Sequence, residues 1–144
     1  MTEAKRKRVE GLNHVAIVVP DLSAASALYR DTFGCAVSDP IDIPAQGIVM
    51  VRVELGGTHL ELMTPSTPNS PIARFLERNP AGGLHHICFN VEDVASMSEH
   101  VKSHGISTLG TGETTTGYHG KPIVFLHPKD VLGTLIELEA MEPE

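Results

Sequence analysis

Four residues of this chain have the types and spacing of a divalent-metal site: His14, Glu61, His86 and Glu137. They come as two pairs in matching segments. Leu12-Asn13-His14-Val15-Ala16-Ile17-Val18-Val19-Pro20-Asp21-Leu22 lines up with Leu84-His85-His86-Ile87-Cys88-Phe89-Asn90-Val91-Glu92-Asp93-Val94 at an offset of 72 residues, half of the 144-residue chain. Thr58-His59-Leu60-Glu61-Leu62-Met63 lines up with Thr134-Leu135-Ile136-Glu137-Leu138-Glu139 at an offset of 76. Side chains on a strand alternate between its faces. His14 therefore shares a face with Ala16 and Val18, against Val15, Ile17 and Val19. His86 shares one with Cys88 and Asn90, against Ile87, Phe89 and Val91. The bulky apolar faces belong against helices, so both histidines turn to the other, concave side. The same alternation sets Glu61 opposite Leu60 and Leu62, and Glu137 opposite Ile136 and Leu138. Two neutral imidazoles and two carboxylates balance a divalent charge. On an octahedral ion they leave two positions open, which suits a bidentate oxygen ligand. Histidine with carboxylate fits Co, Mn, Ni, Fe or Zn.

The remaining histidines read differently. His59 shares the face of Glu61 and is expected to support it from behind. His85 falls on the apolar face, where it packs or hydrogen-bonds. His100 and His104 are four apart on a helix beside Lys102 and read as a solvated face. Cys88 reads as a small core residue at the edge of the concave space.

The elements that must position these residues repeat with them. Each half runs from a short apolar strand into an amphipathic helix and then through about three strands. The first helix is expected from the N-cap Asp21 to Gly34, with Leu22, Ala25, Tyr29 and Phe33 as its buried stripe. The second is expected from Asp93 to Gly105, with Val94, Met97 and Val101 inward. Further strands are expected over Ile48 to Leu55 and Pro122 to Leu126. Ser70 as N-cap and Pro71 at the first helical position signal a short linking helix. The sequence thus predicts an N-terminal tail over residues 1–10 and a single α+β domain over 11–144. That domain would hold two βαβββ modules, about 11–66 and 83–140, in a curved sheet around the metal site.

Composition narrows the function classes. The chain is 41% hydrophobic and 20% charged, an ordinary globular balance. Its net charge of −7 argues against nucleic-acid binding. No apolar run approaches a membrane span, and the basic Lys5-Arg6-Lys7-Arg8 run has no signal core behind it. The two cysteines, Cys35 and Cys88, form no disulfide framework and suit a reducing compartment.

The His14/His86 repeat with Glu61 and Glu137 resembles the vicinal-oxygen-chelate superfamily, the glyoxalase/bleomycin-resistance-like fold. Within it the chain is similar to the methylmalonyl-CoA epimerase family. The segments Asn69-Ser70-Pro71-Ile72-Ala73-Arg74-Phe75-Leu76, Gly82-Gly83-Leu84-His85-His86-Ile87-Cys88 and His119-Gly120-Lys121-Pro122-Ile123-Val124-Phe125-Leu126-His127-Pro128-Lys129-Asp130 carry the likeness. It runs from about residue 11 to 140. The resemblance implies an isomerase that interconverts the R and S forms of methylmalonyl-CoA by 1,1-proton transfer through a metal-stabilised enediolate. It implies a divalent ion, Co2+ ahead of Mn2+, Ni2+ or Zn2+, on His14, Glu61, His86 and Glu137, with Glu137 also moving the proton. It implies an acyl-CoA substrate with His119 and Lys121 as weaker substrate contacts, Lys129 beside them, and a homodimer in cytoplasm or mitochondrial matrix.

The chain departs from the family in one place. Many bacterial members carry a glutamate three residues after the Gln-Gly pair, and here Met50 stands there after Gln46-Gly47. The second acid/base is then open between Glu61, His119 and water. Two rival readings share the scaffold: another metal enzyme, such as a glyoxalase-type isomerase or dioxygenase, and a metal-free binding protein. A dioxygenase uses two His and one carboxylate with three open positions, against the four ligands here.

Overall fold

The computed structural model describes residues 4–109, 115–117 and 119–141. The chain divides into two compact units, one over His14–His85 and the other from His86 onward together with the residues up to Asn13.

The His14–His85 unit follows the order strand, helix, three strands. β1 (Val9–Val18) enters it at His14, and α1 (Leu22–Ala27), β2 (Ile41–Ile43), β3 (Ile48–Glu54), β4 (His59–Pro65) and α2 (Ala73–Arg78) follow. The strands lie in the order β2-β3-β4-β1, antiparallel except for the parallel β4–β1 pair. The expected N-cap is in place: the Asp21 carboxylate accepts from Ala24 N at 3.0 Å. Past Ala27 the helix widens into a π-helical turn over Leu28–Thr32, closed by Phe33 N donating to Leu28 O. The wide turn corrects one expectation. Leu22, Ala25 and Tyr29 pack on Val51, Val53 and Leu62, but Phe33 is 59% exposed. A stripe spaced for 3.6 residues per turn loses its phase when a turn takes in an extra residue. The linking helix also starts later than the Ser70 signal suggests. Ser70 Oγ accepts from Ile72 N at 3.4 Å, and α2 begins only at Ala73. Ser70 builds a turn ahead of the helix instead of capping it.

This sheet buries both faces. Ile17, Val19, Leu60, Leu62, Val51 and Val53 face α1. On the other face, Ala16, Val18, Ile48, Met50 and Met63 form an apolar end beneath Ile72, Phe75 and Leu76. The rest of that face, built by His14, His59, Glu61 and Arg52, is polar. Gly82 leads the chain into the next strand at φ +86°, and a Cβ there would meet Val18 O at 2.5 Å, so only glycine fits.

The second unit repeats the plan with β5 (Gly83–Val91, from His86), α3 (Val94–Ser103), β6 (Thr115–Thr116), β7 (Pro122–Leu126) and β8 (Ile136–Ala140), ordered β5-β8-β7-β6. Val94, Met97 and Val101 of α3 pack on Val91, Val124, Leu126 and Leu138, as the sequence predicts. The Asp93 carboxylate caps α3 by accepting from Ser96 N at 2.8 Å, and that hydrogen bond holds its pKa below the usual 3.8. A depressed carboxyl pKa adds stability above the unfolded value and gives it up as pH falls through the folded one. Asp93→Ala is therefore expected to cost about 1 kcal/mol at neutral pH. In urea titrations, the gap from the parent protein should close as the pH falls below the ordinary carboxylate range. Among the described residues, no helix is long and apolar enough to cross a membrane.

Candidate active site

In the His14–His85 unit, parallel pairing sets His14 beside His59 and Ala16 beside Glu61. The antiparallel β3–β4 register sets Arg52 beside Glu61. The side chains of His14, His59 and Glu61 are buried, at 2%, 6% and 8% exposure. The His14 and His59 rings stack at 5.2 Å. Glu61 Oε2 lies 2.8 Å from His59 Nε2 and 3.4 Å from His14 Nδ1. Arg52 Nη2 sits 3.2 Å from His59 Nδ1. A guanidinium only donates, so His59 Nδ1 accepts and the ring proton sits on Nε2, where it donates to Glu61. Arg52 thus fixes the tautomer of His59, and His59 holds the carboxylate of Glu61, with which it shares a face of β4. One ligand atom from each of His14, His59 and Glu61 lies within 4.8 Å of the others.

The second unit holds the matching pair. His86 Nε2 lies 3.1 Å from Glu137 Oε1, and both residues are buried. Phe125, paired with Glu137 across β7–β8, sets its ring edge-on to His86 at 5.4 Å. Cys88 is paired with Glu137 across β5–β8 and is fully buried. Cys88, Glu137 and Glu139 bring ligand atoms within 4.8 Å of one another.

Glu139 is a buried carboxylate close to Glu137 that the sequence reading passed over. It is 1% exposed, on the Glu137 face of β8. Asn13 Nδ2 donates to its Oε2 at 2.9 Å and also to Asn90 Oδ1 at 2.9 Å. His119 Nδ1 meets its Oε1 at 2.7 Å. The signal was present, because Glu139 stands two residues after Glu137 and shares its face. Asn13 was not legible in this way. Alternation along β1 puts it on the side away from His14, and its bond to Glu139 spans 126 positions of sequence.

The other singled-out residues fall as follows. His119 is mostly buried, and Lys121 is half-buried where β7 begins, its carbonyl accepting from Gly117 N at 2.9 Å. Lys129 is exposed in the short turn Pro128–Asp130. His85 packs edge-on against Phe75 at 5.4 Å. His100 and His104 set their rings 4.8 Å apart at the end of α3, with His104 exposed.

The Glyoxalase/Bleomycin resistance protein/Dioxygenase superfamily model matches residues 13–125. An ethylmalonyl-CoA/methylmalonyl-CoA epimerase of Cereibacter sphaeroides is 53% identical over 128 residues, which is 89% of this chain and 96% of that protein. The chain belongs to the methylmalonyl-CoA epimerase family. Family members are isomerases of the racemase and epimerase class, and the fold is the α+β fold of the glyoxalase superfamily. The methylmalonyl-CoA epimerase of Mycobacterium tuberculosis is similar in structure, with a TM-score of 0.84 at 31% identity over 98% of this chain and 94% of its own. A methylmalonyl-CoA epimerase solved with methylmalonyl-CoA and NH4+ gives a TM-score of 0.82 at 30% identity, over 92% of this chain and 95% of that one.

Proposed function

We propose that this member of the epimerase family interconverts the two forms of methylmalonyl-CoA by moving a proton at the carbon between thioester and carboxylate. The recurrence of a buried His–Glu pair in each unit carries the reading: His14 with Glu61, and His86 with Glu137. Two buried carboxylates, each beside an imidazole nitrogen, fit the donor set of a divalent cation, with cobalt ahead of manganese, nickel or zinc. When bound, the ion supplies Lewis-acid stabilisation of the negative charge that grows as the α-proton leaves.

The chain's own residues supply the rest. Glu137 takes and returns the α-proton on one face of the substrate carbon. The Arg52–His59 pair holds the Glu61 carboxylate oriented, which makes it a ligand in preference to a proton carrier. Lys121, and to a lesser extent Lys129, offer positive charge to the acyl-CoA despite the acidic total. The working form is a homodimer.

The test is hydrogen exchange at the reacting carbon. Metal-stripped and cobalt-loaded protein would be incubated with methylmalonyl-CoA in heavy water. Deuterium uptake and epimer interconversion would be followed by NMR and mass spectrometry. The expected result is metal-dependent uptake together with inversion. A cobalt-loaded protein that does neither sinks the reading.

A further inference from the structure

Inversion at a carbon needs a proton carrier on each of its faces, and the reading above supplies only Glu137. Met50 is 1% exposed among Val18, Ile48 and Met63 and carries no proton. Glu61 is engaged by His59 at 2.8 Å. His119 differs from both. Its Nδ1 lies 2.7 Å from Oε1 of Glu139, a carboxylate 1% exposed whose other oxygen accepts from Asn13 at 2.9 Å. With Asn13 donating to one oxygen of Glu139, the other oxygen is placed to accept from His119, and that arrangement puts the ring proton on Nδ1. The basic nitrogen of the neutral ring is then Nε2. A buried carboxylate on one imidazole nitrogen also stabilises the imidazolium that forms when the other takes a proton. Glu139 stands two residues from Glu137 on the same face of β8, and their carboxylate oxygens approach within 4.8 Å. His119 is thus one side chain removed from the proposed base.

We propose that His119 is the second acid/base of the epimerase and that Glu139 is its positioning residue. The inference rests on the function proposed above. In one direction the Glu137 carboxylate takes the α-proton, and the electron pair of the broken C–H bond passes into the thioester. Protonated His119 then gives its Nε2 proton to the opposite face, forming the new C–H bond. In the other direction neutral His119 Nε2 takes the proton and protonated Glu137 returns one. Exchange with water resets both groups.

The two directions can be read separately. In heavy water, cobalt-loaded His119→Gln should interconvert the epimers about 10²–10⁴-fold more slowly than the parent protein. The epimer whose proton faces Glu137 should still take up deuterium without inverting. The other epimer should exchange no faster than it interconverts. Glu139→Gln should lower kcat with little change in KM. Nitrogen-15 NMR of the histidine rings, which needs neither substrate nor metal, should show His119 protonated at Nδ1 in the parent protein. That preference should weaken in Glu139→Gln, where the accepting charge is gone. Inversion by His119→Gln within a few-fold of the parent rate overturns the proposal. So does a neutral His119 protonated at Nε2 in the parent protein. A parent protein that neither exchanges nor inverts overturns the epimerase reading instead, and the ring spectrum still decides whether Glu139 orients His119.

Discussion

Glu137→Gln should leave a folded protein that no longer moves the α-proton, with interconversion slowed by about 10²–10⁴-fold. The substitution keeps the size of the side chain and its place on β8 between Cys88 and Phe125. It removes the one property that proton transfer needs, a carboxylate that can be protonated and deprotonated. It also removes one negative charge from the proposed ligand set, so cobalt should bind more weakly. The two effects separate by titrating metal into the variant and measuring rate at saturation. A rate that returns to the parent value at saturating metal would leave Glu137 as a ligand alone. A rate that stays low would assign it the proton. Thermal unfolding of the metal-free forms supplies the control. The amide can still meet His86, so Tm is expected to fall by no more than a few degrees.

How much of this was legible beforehand depends on the range of the interaction concerned. The repeat and the alternation along strands turn His14, Glu61, His86 and Glu137 inward, and all four are buried in the structure, because side chains on a strand alternate with a period of two. Caps at Asp21 and Asp93 were legible for the same local reason. Phe33 was misread because a π-helical turn is a local accommodation with no composition of its own. Ser70 was misread because the same hydroxyl that caps a helix also builds a turn before one. Arg52 was out of reach because its place beside Glu61 depends on the β3–β4 register. His119 was visible as a residue, and its role stayed open. What decides that role is Glu139, a residue twenty positions away whose burial no single segment reveals.

Met50→Glu should destabilise the protein by about 3 kcal/mol and give no faster epimerase, although it restores the glutamate that resembling bacterial sequences carry at this place. Met50 is 1% exposed, paired with Ile41 on one side and Met63 on the other, under the cover of Ile72. Removing its apolar side chain from that cluster forfeits about 1.5–3 kcal/mol of burial. A neutral carboxylic acid left without a hydrogen-bond partner there costs about 1–3 kcal/mol more. The nearest cation along that face, Arg52, is already engaged by His59 and Glu54. The introduced group would keep its proton in the folded state, with its pKa raised by burial. A raised carboxyl pKa means that the folded state holds a proton the unfolded state has released, so stability falls as pH rises above the ordinary glutamate range. Urea titrations at pH 4 and pH 8 should therefore show a larger loss at the higher pH. Met50→Leu, which keeps the volume apolar, should cost less than about 1.5 kcal/mol at both. A Met50→Glu protein as stable as its parent, with a higher rate of interconversion, would mean that this position can still seat a proton carrier. The apolar end of the sheet face would then be packed around a vacant catalytic place. With the expected loss, the face divides as its residues do, apolar toward α2 and polar toward His14 and Glu61, and the second proton must come from elsewhere.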